Sequence, residues 1–201
     1  MKNKLCMLLL VSGIGLFSCA EQDLPKEYTD SVNVFIGTGG HGHTFPGATL
    51  PHGMVQLSPD TRLFGWDACS GYYYDDTSIM GFTHTHLSGT GIGDYGDILF
   101  MPVVGEKPLI AGTAENPDEG YRSRFLHEQE SARPGYYQVL LQDDSINVEL
   151  TATLRAGLHR YTYPKASDAR LIVDMEPTIH GHQHPVTQIR VVNDSTIAGM
   201  K

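Results

Sequence analysis

The sequence predicts an all-β domain, an antiparallel β-sandwich. Three observations lead there. Short segments rich in β-branched and aromatic residues recur along the chain. Pro, Gly, Asn and Asp fall between them at sandwich-like intervals, and no window keeps a helical period over three turns. Taken in order, strands are expected over residues 32–36 (VNVFI), 54–57 (MVQL), 79–83 (IMGFT), 98–104 (ILFMPVV), 136–141 (YYQVLL), 146–153 (INVELTAT), 158–163 (LHRYTY), 171–175 (LIVDM) and 187–192 (TQIRVV). The polar runs at 142–145 and 164–168 read as turns between neighbouring strands. Residues 193–195 read as a turn and 196–200 as a returning strand. Because the sequence stops inside that return, the sandwich is expected to be incomplete, a part of something longer.

Residues 1–18 stand apart from the fold. A short basic start, Met1 to Lys4, precedes an apolar run from Leu5 to Phe17 interrupted only by Ser12, Gly13 and Gly15. The run falls short of the roughly 20 residues of a membrane-spanning helix and reads as a secretory signal peptide. Its end, Leu16-Phe17-Ser18-Cys19, resembles a bacterial lipobox, in which Cys19 is lipidated and becomes the mature N-terminus. Cleavage of an ordinary secreted protein nearby is the alternative. Residues 19–30 are then a polar tether and 31–201 the sandwich. The expected location is the cell envelope of a bacterium, with the membrane reached through the lipid anchor.

Composition narrows the partners. Hydrophobic residues make up 40% and charged residues 18%, a balance that excludes a disordered tail, a coiled coil or a collagen-like repeat. Lys and Arg number 14 against 23 Asp and Glu, and loss of Lys2 and Lys4 with the signal peptide deepens the imbalance. Such a chain repels nucleic acid. With Cys6 removed and Cys19 lipidated, Cys69 has no partner for a disulfide, so stability rests on the core.

Several motifs bear on chemistry. Residues 37–42, Gly-Thr-Gly-Gly-His-Gly, match the spacing of a dinucleotide loop, but Pro46 and Gly47 follow and no helix opens to hold a pyrophosphate. A tight loop approaching a ligand or a neighbouring element fits better. Seven of ten histidines fall in His-x-His pairs, at 41/43, 84/86 and 180/182/184. Alternate residues of a strand share a face, which is metal-ligand geometry, but no Glu follows at the cupin spacing. These histidines are read as loop residues bonded to backbone, and no metal site is assigned to them. The pair Asp94 and Asp97 reads as loop carboxylates rather than as an acid and a base.

The densest chemistry lies between Arg62 and Asp76, with the only Trp, three consecutive Tyr, an Arg and several carboxylates. A sugar offers an apolar C–H face and a rim of hydroxyls. An indole covers the first, and Asp and Arg bond the second. Trp66 and Asp67 are the candidates. The structural alternative places Trp66 in the core.

These strings resemble glycoside hydrolase family 92. Residues 32–62 (VNVFIGTGGHGHTFPGATLPHGMVQLSPDTR) look like the family's opening, and 65–72 (GWDACSGY) and 81–94 (GFTHTHLSGTGIGD) are similar to its next two blocks. The resemblance covers roughly residues 28 to 201. It implies calcium-dependent, inverting, exo-acting α-mannosidases, often bacterial lipoproteins, in which an N-terminal β-sandwich precedes an (α/α)6 barrel. It further implies that the general acid, the general base and most calcium ligands lie in the barrel, so that no catalytic residue falls within these 201. What it carries onto this sequence is a share of a terminal-mannose pocket: Gly37, Thr38, Gly39, Gly40, Arg62, Trp66 and Asp67. Ala68 and Tyr73 depart from the residues common there, bulkier at the first and often His at the second. The expected function is the sugar-pocket domain of such an enzyme, with mannose-terminated glycans as partners. A non-catalytic glycan-binding surface lipoprotein is the alternative.

Overall fold

In a computed structural model, residues 27–165 and 168–201 are described. The signal peptide, Cys19 and most of the expected tether therefore lie outside the described residues.

Thirteen strands are present among them: β1 (Ala48–Thr49), β2 (Gln56–Asp60), β3 (Ser78–Ile79), β4 (Gly81–Thr83), β5 (Leu99–Val104), β6 (Ser123–Arg124), β7 (Glu130–Arg133), β8 (Tyr136–Leu141), β9 (Ile146–Ala152), β10 (Gly157–Thr162), β11 (Ala169–Asp174), β12 (Gln188–Asn193) and β13 (Thr196–Met200). The helical segments are single 3-10 turns of three or four residues. One antiparallel sheet runs in the order β1-β2-β4-β5-β11 and a second in the order β10-β9-β8-β7, with two ribbons, β3-β6 and β12-β13, alongside.

Strand alternation builds the core. Along β8 and β9, Tyr137, Val139, Leu141, Ile146, Val148 and Leu150 point inward and their neighbours outward. Facing them from the first sheet are Ala48, Leu57, Phe82, Leu99, Met101 and Val103, all in one buried cluster. The two sheets meet where β1 and β2 pack on β9. This is the expected all-β sandwich.

Most expected strands are found within two residues of their predicted ends, and the differences have local causes. Residues 32–36 form successive turns instead of a strand. The Phe35 N–H donates to Asn33 Oδ1 at 3.0 Å, while Ile36 and Thr38 N–H groups bond the carbonyls of Asn33 and Phe35. A side-chain acceptor at Asn33 thus takes a backbone donor that a ladder would have used. The strand β7 was not expected, because its sequence, Glu-Ser-Ala-Arg, carries no β-branched residue. It forms because the two-residue turn Pro134-Gly135, with Gly135 at φ 77°, folds it onto β8.

A histidine pair joins the two sheets, with His84 just beyond β4 of the first and His159 on β10 of the second. His84 Nε2 and His159 Nε2 are 3.0 Å apart, and His159 Nδ1 lies 2.6 Å from the Tyr161 hydroxyl. Burial lowers the pKa of both, and that of His159 falls to about 3. Both therefore stay neutral in the folded state while the unfolded chain protonates near pH 6.5. The unfolded state binds the extra protons, so stability is present above that value and is lost as pH falls, by up to about 1.4 kcal/mol per pH unit and proton. His86, whose pKa is raised, is protonated in both states at mildly acid pH and adds no slope there. Urea midpoints between pH 6.5 and 4.5 should fall steeply in the native protein and less in His159→Gln. Identical profiles would show that the pair does not control the acid limb.

Candidate functional site

The strand β2 ends in Asp60, and the chain beyond it makes a closed loop. The N–H groups of Thr61 and Arg62 both reach the Gly71 carbonyl, at 2.8 and 3.2 Å, pinching the loop at its base. Gly71 sits at φ 77°, and a Cβ there would collide with the Asp60 carboxylate. Only glycine allows that closure. Within the loop, Gly65 at φ 101° opens a 3-10 turn over Trp66–Ala68. Ala68 and Cys69 are buried beneath, and the Cys69 thiol donates to the Trp66 carbonyl at 2.8 Å. The apolar side of the turn faces the protein and Trp66 faces out.

Trp66 is 59% exposed, which excludes a core role for its ring. Its far edge lies so close to Gly91 that any side chain at 91 would strike it. His43 meets the indole edge-on, ring centres 5.0 Å apart at 81°. The ring is thus braced by two loops and open on one side. Asp67, next in sequence, turns toward the glycine-rich loop, where His41 Nδ1 lies 2.7 Å and His43 Nε2 3.4 Å from its Oδ1. The hydrogen bond from His41 holds the Asp67 carboxyl below the usual carboxylate range.

Arg62 is not the partner of Asp67. Its guanidinium forms a two-point pair with Asp76, through Nε to Oδ2 at 2.8 Å and through a second nitrogen to Oδ1, and it covers the Tyr73 ring at 4.2 Å. Thr61 Oγ1 also donates to Asp76 at 2.6 Å. Asp67 and Arg62, neighbours in the sequence motif, therefore belong to separate charge pairs. Arg62 also lines a cavity of about 460 Å³ with Phe64, Met80 and Arg122. The sequence places Asp76 in this stretch but gives no sign of which Arg it meets.

The glycine-rich loop is built from backbone. Gly37 and Gly40 have φ 86° and 56°, and the Gly42 α-carbon passes so near the Gly37 carbonyl that a side chain would clash. Thr38 is buried, its hydroxyl on the Phe35 carbonyl at 2.9 Å, and its own carbonyl accepts the Tyr74 N–H at 3.0 Å. Thr38 and Gly39 border a cavity of about 380 Å³ with Phe35, Tyr74, His127 and Glu130. His127 stacks on Tyr74 at 4.1 Å, and Glu130 accepts from the hydroxyls of buried Tyr72 and Tyr137. Of the three tyrosines only Tyr74 reaches solvent substantially, and Tyr72 belongs to the core.

The other histidines divide. His180 and His182 bond the carbonyls of Gly65 and Gly93, each at 3.1 Å, as backbone-bonded loop residues should. His86 bonds the Gln56 carbonyl and the buried Asp60. His41 departs from that reading, because its partner is the Asp67 carboxylate. Asp94 accepts the N–H of the adjacent Tyr95 at 2.8 Å, and Asp97 lies near His184 and Lys201.

Calcium needs six to eight oxygen ligands. Among the described residues the one metal-capable cluster is His41, His43 and Asp67, two nitrogens and one carboxylate. These residues do not fit calcium.

Two packed antiparallel sheets place the chain among the β-sandwich domains. The Glycosyl hydrolase family 92 N-terminal domain matches residues 31–201, and the chain belongs to that family. Of this chain, 85% aligns at 47% identity and a TM-score of 0.79 with the family GH92 alpha-mannosidase BT3965 from Bacteroides thetaiotaomicron, in complex with mannoimidazole, covering 22% of that protein. A family GH92 inverting mannosidase from the same species, BT2199, aligns with 74% of this chain at 31% identity and a TM-score of 0.59, and 20% of that protein is covered. An uncharacterized secreted glycosidase of Arthroderma benhamiae is 30% identical over 141 residues, 66% of this chain and 17% of that protein. The chain thus spans 17–22% of the length of these three proteins.

Proposed function

We propose that this chain is the sugar-pocket domain of an exo-acting, inverting α-mannosidase that degrades mannose-terminated glycans. The observation that carries the reading is Trp66, an apolar ring held in the open by Gly91 and His43 beside a carboxylate, in a chain 47% identical to an alpha-mannosidase in complex with mannoimidazole. The indole covers the C–H face of the terminal mannose. Asp67 Oδ2, which has no hydrogen-bond partner among the described residues, accepts from a ring hydroxyl, and Arg62 with the 37–40 loop completes the polar rim.

Acid and base belong to a following (α/α)6 barrel, together with the calcium site. Inverting hydrolysis needs one carboxyl to protonate the leaving oxygen and another to activate water across the sugar. Asp94 accepts the N–H of its neighbour Tyr95, as a loop carboxylate does. The purified chain should therefore turn over no aryl α-mannoside. Turnover that Asp94→Ala or Asp97→Ala abolishes would put a complete site within these residues.

Export and lipidation at Cys19 belong to the same reading, supported by the basic start, the apolar run and Leu16-Phe17-Ser18-Cys19. Cys19→Ser should move the protein from the detergent phase to the aqueous phase. Unchanged partitioning would count against the anchor.

A further inference from the structure

We infer that His41, His43 and Asp67 form a binding site for a zinc-type divalent cation, which clasps the glycine-rich loop to the Trp66 turn. One donor atom from each of the three residues falls within 4.8 Å of the other two, although Asp67 comes from a separate loop. The spread suits a tetrahedral ion. Ligands at the usual zinc distances of about 2.0–2.1 Å stand roughly 3.3 Å apart. His43 Nε2 and Asp67 Oδ1 are already 3.4 Å apart, and His41 Nδ1, at 2.7 Å from the same oxygen, need move out by only about that difference. His41 is free to move, since its side chain is 78% exposed.

His43 supplies the independent sign. Its side chain is only 6% exposed, and its Nε2 is buried with no hydrogen-bond partner while directed at the Asp67 carboxylate. A buried polar atom left in that state costs free energy. The cost is removed when the nitrogen donates its lone pair to a cation. Trp66 meets the ring edge-on, and the His43 carbonyl is held by the Gly89 N–H at 2.6 Å.

Ligand chemistry selects the ion. Two imidazoles and one carboxylate suit zinc and its borderline neighbours and are poor for calcium or magnesium, which require oxygen. Three protein ligands leave a fourth position on the exposed His41 side for water. The cation would bridge chain segments 24 residues apart and fix the Trp66 turn, using Asp67 Oδ1 and leaving Oδ2 outward.

The test is zinc binding to the chelator-treated full chain, read by calorimetry and by fluorescence of Trp66, the only tryptophan. One zinc per chain should bind with a change in Trp66 emission, and calcium in large excess should not displace it. His41→Ala, at an exposed position that folding does not need, and Asp67→Asn should each weaken binding at least as much as the roughly 10–100-fold lost when a group supporting a metal ligand is removed. Zinc binding unchanged in both variants would place the ion on other histidines and overturn the inference. So would no binding, or displacement by calcium. Mannoside turnover is not read in this experiment, so its outcome is separate from that of the proposed function.

Discussion

Trp66→Ala should lower kcat/KM for α-mannosides by roughly 30- to 1000-fold in the enzyme carrying this domain, about 2–4 kcal/mol of transition-state stabilisation, with little change in folding stability. The size follows from the ring. Covering on the order of 100 Å² of indole with the sugar's apolar face, at about 25 cal/mol per Å², gives roughly 2.5 kcal/mol. Contact that improves as the sugar distorts adds to it and lowers the barrier as well as KM. A ring 59% exposed gives little to the fold, so the melting temperature should stay close to native. A large fall in melting temperature with unchanged kinetics would make Trp66 a structural residue.

Asp60→Ala should cost about 3–5 kcal/mol of folding stability, since it removes one partner of a buried ionisable pair. Asp60 and His86 are both fully buried, with Oδ1 and Nε2 2.9 Å apart, and Oδ2 accepts the Thr83 hydroxyl at 2.8 Å. Without the carboxylate, His86 Nε2 and the Thr83 hydroxyl, 3.1 Å apart, keep only each other in an apolar interior. Gly71 also loses the surface it closes against, so the Trp66 loop should loosen. Chemical denaturation checks the first effect and proteolysis within residues 62–70 the second. A loss under about 1 kcal/mol would mean that water or a neighbouring group takes over from Asp60.

The sandwich was legible where side-chain alternation and burial agree. Residues 136–141 and 146–153 gave β8 and β9 almost to the residue, because every second side chain enters the core. Residues 32–36 misled, because Asn33 diverts a backbone donor into a turn and leaves apolar Ile36 exposed. β-propensity there reports side-chain type, while the backbone follows the competing acceptor. Within the site, Trp66 was legible from its glycine-flanked setting. The pairings were not: Asp67 with His41 and Arg62 with Asp76 join segments 26 and 14 residues apart, and a charge in sequence does not name its partner. The unpartnered nitrogen of His43 could not be read from the sequence either, since burial and partner are set by the fold.

The central claim is that the terminal mannose lies against Trp66. Its most direct measurement is a crystal structure of the enzyme containing this domain with mannoimidazole bound. The expected result is the sugar-like ring within van der Waals contact of the Trp66 indole, about 4 Å, with Asp67 Oδ2 on one of its hydroxyls. An inhibitor bound with Trp66 still facing solvent, or seated wholly away from the 37–40 loop and Arg62, would contradict it.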